Sequence, residues 1–134
     1  MTRGALIDDR AATVRVLVVD DVPEFRRLLS IALERRADVD VIAEASTGED
    51  AVALARSLMP DVVVLDLRMP AMDGVSALRE IRRVAPDVTI IVQSIYPVED
   101  MGDEVKALGA DAYVEKLSGT FATRVADEVV ALRG

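Results

Sequence analysis

Five short apolar runs alternate with five stretches of helical periodicity along this chain, and that alternation limits the folds open to it more than any other feature. The runs lie at 14–19 (VRVLVV), 39–45 (VDVIAEA), 61–65 (DVVVL), 88–92 (VTIIV) and 112–114 (AYV). Several are apolar at consecutive positions, as strands covered on both faces require; a strand with one wet face would alternate. Between the runs, apolar residues recur at three- and four-residue steps: Phe25, Leu28, Leu29, Ala32 and Leu33; Val52, Ala55 and Leu58; Val75, Leu78 and Ile81. Met101, Val105 and Leu108 repeat the spacing, and Phe121, Val125, Val129 and Leu132 close the chain. Each set forms one stripe of a helix with about 3.6 residues per turn. Pro23 fits a helix's first turn, Thr47-Gly48-Glu49 a capped start and Gly109 a helix terminator, while Pro60 and Pro86 part helices from the strands that follow. Gly102 weakens the fourth helical stretch by about 1 kcal/mol relative to alanine, which fits equally a helix that shifts readily and one that is short. Strand–helix alternation with right-handed crossovers predicts an α/β domain over residues 14–133: a doubly wound, five-stranded parallel sheet of flavodoxin-like (βα)5 type, in the order 2-1-3-4-5. Residues 1–13 lack periodicity and are expected to form a flexible leader.

Composition removes whole classes of function. With 134 residues, 51% of them apolar, the chain has enough material for one packed core. No uninterrupted apolar stretch exceeds the five residues at 51–55, far short of the roughly 20 that a membrane helix needs. The start lacks a basic-then-apolar signal pattern, so the expectation is a soluble, cytoplasmic protein with no membrane partner. Cysteine and histidine are both absent. That excludes disulfides, thiolate chemistry, sulfur-ligated metals and serine–histidine catalysis, and removes the commonest zinc ligand and general base. A net charge of -8 and a pI near 4.5 oppose direct binding of nucleic acid, whose phosphates call for a basic surface.

The predicted topology turns scattered polar residues into a candidate site. Ligands of open α/β sheets bind beyond the carboxyl ends of the strands where the winding reverses, here between strands one and three. Asp20 and Asp21 follow the first run, Asp66 the third, Ser94 the fourth and Lys116 the fifth. Singly, each has an ordinary explanation. The acid pair would cap a helix, Asp66 would begin a turn within DLRMPAMDG, and strand-end serines and solvated lysines are common. Together they set three carboxylates, a hydroxyl and an ammonium on one edge, which suits a divalent cation and a phosphoryl group. Crowded carboxylates either rise in pKa or are neutralised by a cation. With only oxygen ligands on offer that cation is a hard one, and a small open site that keeps waters suits Mg²⁺ better than Ca²⁺.

These segments resemble the receiver domains of bacterial two-component response regulators. VLVVDD at 16–21, VVVLDLRMPAMDG at 62–74, Ser94 after its apolar strand, and Tyr113-Val114-Glu115-Lys116 match that family's segments in order. The resemblance implies that Asp66 is the phosphoacceptor and that Asp20 and Asp21 hold Mg²⁺, Asp21 directly and Asp20 more often through water. It further implies Asp66 itself and the backbone carbonyl of Arg68 as metal ligands. Ser94 becomes the hydroxyl that binds the acyl phosphate, Lys116 its ion-pair partner, and Tyr113 the switch aromatic. The implied partners are a sensor histidine kinase or phosphotransfer protein, and a homodimer or output contact through the fourth helix, fifth strand and fifth helix. VIAEASTGEDA at 41–51 is similar to receivers that precede helix-turn-helix outputs, which leaves a stand-alone receiver and a piece of a longer regulator both open.

The chain also departs from the family's pattern. Ile95 stands where alanine or glycine is usual, which predicts crowding of the phosphoryl pocket. Leu117 stands where proline is usual; a cis bond there costs about 2.5–4 kcal/mol, so a strained cis peptide and a trans loop are both open. Arg68 and Tyr96, two residues beyond Asp66 and Ser94, lie where side chains screen a phosphoryl group from water. The reading is a phosphorylation switch that is not a turnover enzyme. Two alternatives remain: a pseudo-receiver that binds partners without phosphorylation, and a Mg²⁺-dependent phosphohydrolase, although Arg68 occupies the place where such enzymes carry a second acid.

Overall fold

The computed structural model of the protein describes residues 13–69, 73–117 and 119–133; the leader expected at 1–13 lies outside the described residues except for Thr13. Strands β1 (Val14–Val19), β2 (Val39–Ala45), β3 (Val62–Asp66), β4 (Thr89–Ser94) and β5 (Ala112–Glu115) alternate with helices α1 (Pro23–Glu34), α2 (Gly48–Leu58), α3 (Gly74–Val84), α4 (Val98–Ala107) and α5 (Phe121–Arg133). All neighbouring strands are parallel, in the order β2-β1-β3-β4-β5, the topology expected from the sequence. A register shift between Val16 and Leu17 lets β2 carry one residue more than β1.

The two faces of the sheet carry separate cores. Leu17, Val19, Val63, Leu65, Ile90 and Val92 pack against α2, α3 and α4 through Ala51, Ala55, Leu78, Ile81 and Val105. On the other face Val16, Val18, Val62, Val64, Ile91 and Val114 meet α1 and α5 through Leu29, Leu33, Phe121, Val125 and Val129. Because successive strand residues point to opposite faces, consecutive valines feed both cores, which is why these strands show no alternation. Each fully buried leucine or isoleucine contributes about 1.5–3 kcal/mol from apolar burial.

Helix ends follow the sequence punctuation. Pro23 sits in the first turn of α1, Thr47 Oγ1 caps α2 by accepting from the Asp50 amide at 3.1 Å, and Asp73 caps α3 by accepting from the Ser76 amide at 2.8 Å. Gly109 follows α4 with φ +112°, a conformation that favours glycine. Helix α4 runs unbroken through Gly102 and, at 10 residues, is the shortest of the five. The start of α3 lies close under the end of β3. A Cβ on Gly74 would fall 2.2 Å from the Leu67 Cα and 2.4 Å from the Asp66 carbonyl oxygen, so only glycine lets helix and strand approach this closely.

Candidate functional site

The carboxyl ends of β1, β3 and β5 bring Asp20, Asp66 and Lys116 together for a reason visible in strand periodicity. Asp20 continues the face of Val16 and Val18, Asp66 that of Val62 and Val64, and Lys116 that of Val114, all on the α1–α5 side. One oxygen from each of Asp20, Asp21 and Asp66 lies within 4.8 Å of the others. The Lys116 ammonium reaches Asp20 Oδ2 at 2.7 Å and Asp66 Oδ2 at 3.4 Å, and all three side chains are at most 5% exposed. The Phe25 ring lies 4.4 Å beneath that ammonium and packs edge-on against Phe121. A backbone bond from the Lys116 amide to the Ser94 carbonyl, 2.7 Å, ties the end of β5 to β4.

Asp20 does not cap α1. Its Oδ1 accepts from the Val22 amide at 2.9 Å, Val22 stands at the cap position with no side-chain bond to the helix, and the Asp20 side chain is wholly buried. Asp66 combines the expected turn with the site: Oδ1 accepts from the Arg68 amide at 3.2 Å while Oδ2 faces Lys116. Burial raises the Asp66 carboxyl to about 6, with the Asp20 charge adding to the rise and Lys116 and the Arg68 amide opposing it. Three carboxylates around one ammonium leave an excess of negative charge that an oxygen-seeking divalent cation would neutralise. The donor set, all oxygen, fits Mg²⁺.

A cavity of about 580 Å³ opens over these groups, lined among others by Asp21, Asp66, Arg68, Ile95, Tyr96 and Lys116. Ile95 and Tyr96 are 38% and 39% exposed, so the branched side chain at 95 does border the space above Asp66. Ser94 behaves differently from the other expected residues. It ends β4 on the face of Ile90 and Val92, is fully buried, and its hydroxyl accepts from the Tyr96 amide at 3.1 Å; it does not line the cavity. Tyr113 meets the same segment, donating from its hydroxyl to the Tyr96 carbonyl at 2.7 Å, and burial pushes its phenol up. The two expected switch residues therefore grip one residue from opposite ends of its backbone. The Lys116–Leu117 peptide is trans, there being no cis bond among the described residues, and Leu117 is 70% exposed.

Two polar residues escaped the sequence reading. Gln93, fully buried, donates from Nε2 to Asp20 Oδ2 at 2.9 Å. The period-two rule carries the signal, since Gln93 shares the α1–α5 face of Ile91, the face of Asp20, Asp66 and Lys116, while Ser94 takes the other. Glu115 accepts from the Val98 amide at 2.7 Å and so holds the first residue of α4 to β5.

The chain matches proteins of known kind. A family model described as the response regulator receiver domain fits residues 16–122. The protein-glutamate methylesterase/protein-glutamine glutaminase of Caldanaerobacter subterraneus is 41% identical over 122 residues, covering 88% of this chain and 33% of that protein. The transcriptional regulatory protein LiaR of Bacillus subtilis is 40% identical over 118 residues, covering 88% of this chain and 55% of that protein. The chain thus spans a third to just over half of these curated relatives. Among solved structures, the receiver domain of a NarL regulator from Mycobacterium tuberculosis superposes with a TM-score of 0.82 at 30% identity, covering 90% of this chain and 96% of that one. The response regulator domain of Thermotoga maritima CheB gives 0.79 at 32% identity, over 90% and 92%.

Proposed function

Because this chain belongs to the family of response regulator receiver domains, we propose that it is switched by phosphorylation of Asp66 and signals through the surface that α4, β5 and α5 form. The observation that carries this reading is the buried Asp66 carboxylate, raised in pKa and 3.4 Å from an ammonium at the floor of an open cavity. In the transfer, a carboxylate oxygen of Asp66 attacks phosphorus, the bond from phosphorus to the donor's leaving group breaks, and an acyl phosphate results. Such a step needs neutralisation of the phosphoryl oxygens more than acid–base help, and Lys116 provides part of it. Asp20, Asp21, Asp66 and the backbone carbonyl of Arg68 would hold Mg²⁺, which when bound neutralises phosphoryl charge.

With no histidine the chain cannot be its own phosphohistidine donor. A sensor histidine kinase, a phosphotransfer protein or a small acyl phosphate supplies the group, in the cytoplasm where such donors reside. The lack of a general base suits slow hydrolysis, hence a timer that catalyses its own loading and unloading and is no turnover enzyme. When Ser94 turns its hydroxyl to the phosphoryl group it releases the Tyr96 amide, and Tyr113, bonded to the same residue, shifts with it. A coupling of about 1–3 kcal/mol changes partner affinity roughly 5- to 150-fold, enough to control a homodimer or an output domain.

Intact mass after incubation with Mg²⁺ and acetyl phosphate tests the reading. Wild type should gain one phosphoryl group and Asp66→Asn none; an unmodified wild type would end it. Ile95 bordering the cavity favours one second reading, a module that binds partners without phosphorylation. Partner affinity that is the same for wild type and Asp66→Asn, with and without donor, would establish that alternative. Sustained turnover of phosphate esters would instead indicate a phosphohydrolase.

A further inference from the structure

In the register of β3 and β4, Gln93 lies opposite Asp66. Its Nε2 donates to Asp20 Oδ2 at 2.9 Å, the oxygen that also accepts from Lys116 Nζ at 2.7 Å. Its own Oε1 accepts no hydrogen bond among the described residues. A methionine of similar length would fill the same space with no buried oxygen left over, so packing alone does not account for an amide here. What the amide adds is a second, uncharged donor on an oxygen that Lys116 also holds.

That doubling matters because the ammonium has two calls on it. At rest it pairs with Asp20 and lies 3.4 Å from Asp66; after transfer its partner is the phosphoryl group on Asp66. As Nζ turns away, Asp20 Oδ2 loses a charged donor at a side chain with no exposure to water. A buried carboxylate oxygen stripped of donors is strongly disfavoured. Gln93 is the donor that stays.

We propose that Gln93 is a positioning residue of the acidic site, holding Asp20 by Oδ2 so that Lys116 is free to leave that oxygen for the phosphoryl group. The inference rests on the phosphoacceptor reading of Asp66. Gln93 acts through Asp20 and need not touch the phosphoryl group itself.

Titration of the full chain with beryllofluoride at fixed Mg²⁺ tests it, read by the fluorescence of Tyr96, which lines the cavity, and Tyr113, which is bonded to it. Four proteins are compared: wild type, Gln93→Met, which keeps the shape and loses the donor, Gln93→Asn, which keeps the amide but is one methylene short of Asp20, and Ile91→Val as a control. The control thins the core on the same strand and face. Half-saturation should rise about tenfold or more in both Gln93 variants, the size expected when a charged group loses a buried hydrogen bond, and stay within twofold in Ile91→Val even where its melting temperature falls. Wild-type half-saturation in either folded Gln93 variant overturns the inference, and so does an equal rise in Ile91→Val, which would mark a packing effect. Should Gln93→Met not fold, Gln93→Asn carries the same test. A wild type without any response would overturn the phosphoacceptor reading instead, so the two failures are distinguishable.

Discussion

The two edges of this sheet are both charged, and they use charge in opposite ways. At the amino-terminal edge Asp61 accepts from the Arg15 amide at 2.8 Å and pairs with Arg133 at 3.2 Å, while Asp111 accepts from the Ile90 amide at 2.9 Å and pairs with Arg82 at 3.2 Å. Arg82 also donates to the carbonyls of Pro86, Val88 and Gly109 at 2.6–2.8 Å, so one guanidinium ties the end of α3 to the loops before β4 and β5. Each of these two acids has a base, and the paired side chains are 26–43% exposed. At the carboxyl-terminal edge three carboxylates cluster beside one ammonium that reaches two of them, and Asp20, Asp66 and Lys116 are nearly free of solvent. Balanced, half-wet pairs hold loops in place, each adding modestly to stability. Unbalanced, dry charge works against the resting fold and is relieved only by a bound cation or a change of protonation.

The largest effect that would break this contrast is expected from Lys116→Met. It leaves the buried acids with no opposing charge and should cost about 3–5 kcal/mol in urea unfolding at pH 7 without metal, much of it recovered on adding Mg²⁺. An unchanged midpoint would show that the lysine is not the counter-charge. Next comes Arg82→Ala, which strips three carbonyls and a carboxylate of their donor. We expect a loss of about 2–3 kcal/mol with beryllofluoride half-saturation unaltered, because the balanced edge serves only the fold; a shift in half-saturation would show that the edges are coupled. The smallest effect has the opposite sign. The folded Asp66 carboxyl, at about 6 against an ordinary 3.8, binds its proton more tightly than the unfolded chain does. Its favourable contribution is therefore fully present below about 3.8 and lost as pH rises through about 6. Asp66→Asn should stabilise the metal-free protein by about 1–3 kcal/mol at pH 7 and by nearly nothing at pH 4, as thermal melts at the two values would reveal.

The fold was legible because its determinants are local. The β2 limits at Val39 and Ala45 follow from the apolar run, and the strand order follows from the connectivity rules. β4 extends two residues past the apolar run, through Gln93 and Ser94, because both polar side chains are buried and bonded inside the structure, where hydropathy gives no sign of them. At the site, Asp20, Asp21, Asp66 and Lys116 were legible since each lies at or just beyond the carboxyl end of a strand, the acids at the winding reversal between β1 and β3 and the lysine after β5. The direction in which Ser94 points was not, nor the contact of Tyr113 with Tyr96. Both depend on which face a residue takes at the end of a strand, and a one-residue change in that end exchanges the faces. The trans peptide at Leu117 was likewise not legible, since it depends on how the loop packs, although the lack of a proline there leaves the cis form at its full cost.

The aromatic ring beneath Lys116 has a consequence for how the protein meets changing surroundings. Dissolved salt mutes exposed charges beyond about 8 Å at physiological strength, yet it scarcely reaches an ammonium that is 3% exposed and seated 4.4 Å over Phe25. A rise in ionic strength will weaken the exposed pairs of this molecule far more than the contact of the Lys116 ammonium with Asp20. The resting charge pair beneath the cavity is thus set by the fold and not by dissolved monovalent salt.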